Sequence, residues 1–310
     1  MTTAFLSHRD CLSHHNPDGH PESVARLEAI RQRMSAPEFD GLVRVEAPLC
    51  TEQDILLAHP ASHLAAMKAA APESGFQFID GDTALSPGTL QAAFHAVGAN
   101  VAAVDMVLSR QVQNAFCATR PPGHHAERQT AMGFCFFGNV VIGAKHALER
   151  HGLSRVAIVD FDVHHGNGTQ DLVWDDPRIL FASTHQMPLY PGTGAASETG
   201  ASGNVVNVPL APFADGSDLR AAFEQEILPA LHQHKPEMVF ISAGFDAHAR
   251  DPLANLNFTE ADFAWATQAL CDFAKDTCQG RVVSTLEGGY DLQALAASVA
   301  AHVGVLMEQT

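Results

Sequence analysis

Val156-Ala157-Ile158-Val159-Asp160-Phe161-Asp162-Val163-His164-His165-Gly166-Asn167-Gly168 begins as an unbroken apolar run and ends as a polar, glycine-bearing turn. A run without polar alternation is the pattern of a strand covered on both faces, as in a parallel sheet with helices above and below it. Met238-Val239-Phe240-Ile241 repeats the pattern and leads into Gly244-Phe245-Asp246. In parallel α/β sheets ligands bind beyond the carboxyl ends of the strands, so the polar residues that follow these two runs are the ones to question first.

Outward from this stretch, strand-like runs over 4–7, 42–46, 115–119, 155–161, 179–183, 204–209, 238–243 and 281–286 alternate with helical patterns, which predicts a parallel α/β sheet. Helix punctuation supports the alternation. Ser86-Pro87 reads as an N-cap and first helical residue, Thr259 with Asp262 as a capping box, and Gly152 as the end of the 138–151 segment. No repeat, low-complexity stretch or long linker divides residues 1–310, so a single domain is predicted, with a long Gly-, Pro-, Ser- and Thr-rich loop over 184–203.

With 310 residues and 46% hydrophobic content the chain can bury a large core. Its 18 basic and 35 acidic residues give a formal charge of −17, which repels nucleic acid and anionic lipid, so neither is expected as a partner. No run reads as a membrane span, and Met1-Thr2-Thr3-Ala4 lacks a basic, apolar and cleavage-site succession; a cytoplasmic protein is expected. The six cysteines, at 11, 50, 117, 135, 271 and 278, show no CxxC spacing and read as reduced, buried hydrophobes.

Four of the runs end in chemistry-bearing residues: Arg120-Pro121-Pro122-Gly123-His124-His125, Asp160 to Gly168, Gly244-Phe245-Asp246, and Glu287-Gly288-Gly289-Tyr290. Asp162 and His164 are two apart and project to one side of an extended segment; Asp246 would complete three protein ligands and leave positions open for water and substrate. Taken alone, an Asp-x-His at a strand end is more often a capping pair, but the flanking residues change the balance. His124 and His125 follow a stiff Pro-Pro-Gly turn that brings both imidazoles to one pocket, whereas His14-His15 reads as a chance pair among 18 histidines. Metal-assisted amide hydrolysis requires a Lewis acid, a base and an oxyanion donor, and Tyr290 is a candidate for the last.

These motifs resemble the zinc-dependent histone deacetylase and acetylpolyamine amidohydrolase superfamily, most closely its class II-like bacterial members. Arg120 to Ala126, Gly133-Phe134-Cys135-Phe136-Phe137-Gly138-Asn139, Asp160 to Gln170, Ala243 to Asp246, Leu286 to Tyr290 and His20-Pro21-Glu22 carry the resemblance over nearly the whole chain. It implies an arginase/deacetylase fold with an eight-stranded parallel sheet, in a single deacetylase catalytic domain spanning 1–310. It further implies one Zn²⁺ on Asp162, His164 and Asp246, with Fe²⁺ or Co²⁺ also suited to such a ligand set.

By the same resemblance His125 would be the general base, His124 its electrostatic partner or acid, and Tyr290 the oxyanion donor. Asp160 would orient His124 and Asn167 would orient His125; the neutral amide predicts a neutral resting His125. Gly133, Phe134, Tyr190, Leu253, Gly288 and Gly289 would line a narrow tunnel, with Asp82 at its rim. A structural K⁺ would use backbone oxygens of Asp160, Asp162 and His164 with the Ser183 hydroxyl. Gly166 and His248 stand where a two-manganese ureohydrolase needs carboxylates, so a single metal is expected. The substrate implied is an acylated lysine of a peptide or protein, or a small acylated amine; the rivals are an acetylpolyamine deacetylase and an inactive acyl-lysine reader.

Overall fold

The computed structural model describes residues 2–309. Its strands are β1 (Thr3–Ser7), β2 (Val43–Glu46), β3 (Gln77–Phe78), β4 (Ala84–Leu85), β5 (Asn114–Cys117), β6 (Val156–Asp160), β7 (Ile179–Gln186), β8 (Val205–Leu210), β9 (Val239–Ala243) and β10 (Val282–Leu286). Its α-helices are α1 (Val24–Arg33), α2 (Glu52–Ile55), α3 (Ala61–Ala70), α4 (Thr89–Leu108), α5 (Asn139–His151), α6 (Asn167–Val173), α7 (Gly216–Ala222), α8 (Leu228–His234), α9 (Glu260–Thr277) and α10 (Leu292–Glu308).

Eight strands form one parallel sheet in the order β2-β1-β5-β10-β9-β6-β7-β8. They are the eight runs read from the sequence. The pleat sends alternate side chains to opposite faces, so Val156 and Ile158 join one apolar cluster while Ala157 and Val159 join the other. The first cluster packs the sheet against α3, α4, α5 and α6, the second against α1, α7, α9 and α10. Each fully buried Val, Ile or Leu contributes about 1.5–3 kcal/mol of transfer free energy, which is why both faces of a central strand read as apolar.

The differences from the sequence reading have local causes. β7 runs on to Gln186 because Thr184, His185 and Gln186 are polar yet buried, and pair with β8 as far as Leu210. The strand pair β3–β4 interrupts the 71–88 segment, two residues a side being too short to leave a periodic pattern. The cap predicted at Ser86-Pro87 moves to Gly88, since the Ser86 amide donates to Thr89 Oγ1 at 2.8 Å before the helix starts. By length and composition α4 is apolar enough to cross a membrane, contrary to the expectation for this chain; twelve of its residues are buried, as in a helix packed into a core. Thr259 and Asp262 do form a capping box, and Gly152 ends α5 with φ of +71°.

Candidate active site

The sheet order sets β5, β10, β9 and β6 side by side, so the four polar turns read from the sequence meet above adjacent strand ends. Asp162, His164 and Asp246 are buried, with ligand atoms all within 4.8 Å of one another. His164 Nδ1 lies 3.2 Å from Asp162 Oδ1 and 3.0 Å from Asp246 Oδ2. Burial opposes charge on this imidazole, yet the two carboxylates push its pKa up to about 10. Two buried carboxylates demand positive charge, and a proton on His164 supplies it where a divalent cation would. The donor set therefore fits a cation.

The backbone shapes this cradle closely. The Gly288 amide donates to Asp162 Oδ2 at 2.8 Å, and a Cβ at Gly288 would stand 2.2 Å from Asp246 Oδ2 and 2.6 Å from Asp162 Oδ2. The Val163 amide donates to the other Asp246 oxygen at 2.9 Å.

His124 and His125 stack obliquely, with centroids 4.0 Å apart, and their environments push them in opposite directions. Burial disfavours a charged His124, but Asp162 and Asp160 outweigh it and hold its pKa well above the usual histidine value. His124 Nδ1 lies 3.0 Å from Asp160 Oδ2. Burial and the neighbouring His124 hold His125 well below the usual value, hence neutral. His125 Nδ1 meets Asn167 Oδ1 at 2.7 Å.

A cavity of about 360 Å³ opens onto this group. His125, His164 and Tyr290 border it, and Gly133, Phe134, Tyr190 and Leu253 line its walls with Asp82. His20, Pro21 and Leu189 line it too. Gly288 and Gly289 are not part of the lining: Gly288 lies behind the two carboxylates, and the Gly289 carbonyl accepts from Arg26 Nε at 2.6 Å. Gly133 has φ of +55°, and a Cβ there would strike the His125 ring at 2.5 Å.

Ser183 pairs with Asp160 across the β6–β7 ladder. The Gly194 carbonyl accepts from His185 Nε2 at 2.9 Å, so the neutral ring's Nδ1 accepts from the Ser183 hydroxyl at 2.9 Å. The Ser183 oxygen lone pairs are left unused by that bond.

The histone deacetylase domain family matches residues 20–306. The chain belongs to the histone deacetylase family. This histone deacetylase-family hydrolase is 42% identical over 306 residues to Histone deacetylase 14, chloroplastic, of Arabidopsis thaliana, which covers 92% of this chain and 72% of that protein. It is 35% identical over 277 residues to the histone deacetylase-like amidohydrolase of Pseudomonas aeruginosa, covering 88% and 73%. The solved HDA15 HD domain matches with a TM-score of 0.94 and 34% identity over 99% of this chain and 88% of that one. The arginase/deacetylase fold follows.

Several residues that build this site were given no role in it by the sequence reading. Glu287 is buried, accepts from the Gly123 and His124 amides at 2.7 and 3.1 Å, and burial pushes its carboxyl up to about 7. Asp251 receives the Tyr290 amide at 2.7 Å and the Leu253 amide at 3.0 Å, joining an oxyanion candidate to a cavity wall. Arg26 spans the Glu287 and Gly289 carbonyls and lies 4.9 Å over the Tyr290 ring. Glu22 pairs with both Arg26 and Arg120. His14, read as part of a chance pair, is buried with Nε2 3.3 Å from Glu22 Oε2. Their sequence distances hid them.

Proposed function

We infer that this chain is a metal-dependent amidohydrolase that removes an acetyl or other acyl group from an acylated lysine side chain or a similar amine. The observation that carries the reading is one cavity bordered by His125, His164 and Tyr290 above the buried Asp162 and Asp246 carboxylates. Asp162, His164 and Asp246 would hold a single Zn²⁺, and Fe²⁺ or Co²⁺ suits the same donors. When bound, that ion supplies Lewis acidity for an amide carbonyl and for the attacking water.

The residues around it divide the remaining work. Phe134, Leu253 and Tyr190 give the apolar walls that a lysine methylene chain fills. Neutral His125 carries its hydrogen on Nδ1 toward Asn167, which leaves the Nε2 lone pair to take a proton from water. His124, held protonated by Asp160 and Asp162, keeps positive charge beside the reacting centre and can return a proton to the leaving amine. Tyr290 donates its hydroxyl hydrogen to the oxyanion. A structural K⁺ on the backbone oxygens of Asp160, Asp162 and His164 and on Ser183 is supported by the unused Ser183 lone pairs.

Among the described residues, Asp82 is the one carboxylate lining the cavity. Asp80 is engaged, its Oδ1 accepting the Asp82 and Thr83 amides at 3.0 and 2.6 Å. A single rim carboxylate favours an acyl-lysine peptide, whose backbone amide it can receive, over a polycation. Side-by-side kcat/KM values for acetyl-lysine peptides and N-acetylputrescine test this, before and after chelation and Zn²⁺ return. The peptide should be preferred and chelation should abolish turnover. Preference for the polyamine would reassign the substrate, and chelator-resistant turnover would end the metal reading.

A further inference from the structure

Away from the cavity, the described residues hold two more groups of three side chains with ligand atoms within 4.8 Å of one another: His8, Asp10 and His95, and Asp105, His146 and His151. The first cannot converge on an ion. The His8 and His95 rings stack face to face at 3.6 Å with planes 13° apart, so their in-plane lone pairs run side by side.

The second group is arranged differently. Asp105 stands in the last turn of α4, and His146 and His151 in the second half of α5, where the two helices pack on the same face of the sheet. Both imidazoles direct Nε2 at the same oxygen, Asp105 Oδ1, at 2.8 Å from His146 and 2.7 Å from His151. Their rings meet edge to face, centroids 5.3 Å apart and planes 70° apart, so the two nitrogens approach that point from different directions.

Two N–H donors on one carboxylate would also draw these side chains together. Hydrogen bonding alone gives no reason for both to crowd Oδ1, because Asp105 Oδ2 takes no hydrogen bond among the described residues. A point shared by three donors is what an ion requires. Metal bonds of about 2.0–2.2 Å set such donors roughly 3–3.6 Å apart, so the present contacts need to open by about half an ångström. The Asp105 and His151 side chains, 52% and 30% exposed, have room to do so and leave a coordination position facing water.

We propose that Asp105, His146 and His151 form a second, surface site for a divalent transition-metal ion of the Zn²⁺ or Cu²⁺ kind, clamping α4 to α5. Imidazole and carboxylate donors in this ratio select such ions over Mg²⁺ or Ca²⁺, which take oxygen cages. The site is independent of the cavity, because none of its ligands touches the Asp162 group.

Zn²⁺ titration of the chelator-treated full chain tests it, comparing wild type with His151→Ala and Asp105→Asn and reading bound equivalents and thermal midpoint. Each variant should bind one equivalent fewer than wild type and lose the rise in midpoint that this equivalent gives, while hydrolysing acetyl-lysine peptide at the wild-type rate. Equal stoichiometry in wild type and both variants overturns the site. A wild type that binds one equivalent, lost in both variants, upholds the clamp and instead removes the cavity metal, so the two readings fail separately.

Discussion

Asn167 Oδ1 lies 2.7 Å from His125 Nδ1, and the amide cannot be turned round. Its nitrogen donates to Glu127 Oε1 at 2.8 Å, and a carboxylate oxygen only accepts. Glu127 therefore fixes which atom of Asn167 faces His125, and so which imidazole nitrogen keeps its lone pair. Glu127→Leu should lower kcat about 10-fold with KM little changed, the scale of lost outer hydrogen bonds at metal sites. Glu127→Gln, whose carbonyl oxygen can still accept, should restore most of it. Steady-state kinetics on both variants decide the matter, and equal activity in all three proteins would dismiss the relay.

Tyr290 is held from two sides, by its amide on Asp251 and by Arg26 over its ring. Tyr290→Phe keeps both contacts and removes only the hydroxyl. The expected loss in kcat is on the order of 10²-fold, as for other single oxyanion donors, with thermal stability unchanged. Unchanged turnover in a kinetic assay would take Tyr290 out of the mechanism.

The Cβ that Gly288→Ala introduces would stand inside contact distance of both Asp162 and Asp246 carboxylates. Because the change crowds the ligands from behind, metal content should fall at least 10-fold, in line with disturbed ligand support. Elemental analysis of purified protein, paired with circular dichroism to show that the fold persists, measures it. Full occupancy would show that the cradle yields more than its geometry suggests.

His302 is neutral by construction. Thr267 Oγ1 spends its hydrogen on the Phe263 carbonyl and so accepts from Nδ1 at 2.6 Å, which leaves Nε2 to accept from Ser284 at 2.8 Å. Burial lowers its pKa from 6.5 to about 3. Between those values the unfolded chain binds one proton more than the native one, so stability falls with falling pH at up to about 1.4 kcal/mol per pH unit from this group. Buried His59 and His165, both lowered to about 3, act in the same sense. Urea melts through the acid range below pH 6.5 should show a slope smaller by one proton in His302→Asn.

Arg120 and Glu22 are both fully buried, and Arg120 Nη2 meets Glu22 Oε2 at 2.6 Å. Burial would raise the Glu22 carboxyl, yet Arg120 and His14 hold it well below the usual range. Arg120→Met strips the main counterion from a buried carboxylate and should cost about 3–5 kcal/mol. Denaturant unfolding reads this directly, and a loss below 1 kcal/mol, estimated against the same scale, would mean that Arg26 alone suffices.

The sheet was legible because its strands, buried on both faces, carry unbroken apolar runs; the polar end of β7 escaped because Thr184, His185 and Gln186 are polar residues buried by the fold, with His185 Nε2 on the Gly194 carbonyl and Gln186 Oε1 accepting the Asn255 amide. The same division holds at the site. Asp162, His164, Asp246, His124, His125 and Tyr290 sit in short motifs at strand ends, where spacing and flanking glycines mark them. Arg26, Glu127 and Asp251 are lone charged residues with no spacing to betray a distant bond, while Glu22 and Glu287 lie inside motifs whose spacing does not show that they bond across 98 and 164 residues.

The last strand in the chain, β10, lies between β5 and β9 in the middle of the sheet. A ribosome making this protein therefore releases both neighbours before the strand that joins them, β5 far ahead of it and β9 one helix ahead, and their inner edges stay open until β10 emerges. An unpaired strand edge is an invitation to pair with another chain. Between the release of β9, which ends at Ala243, and that of β10, which ends at Leu286, the nascent protein thus holds two unjoined half-sheets, with the Asp162, His164 and Asp246 group split from His124 and His125.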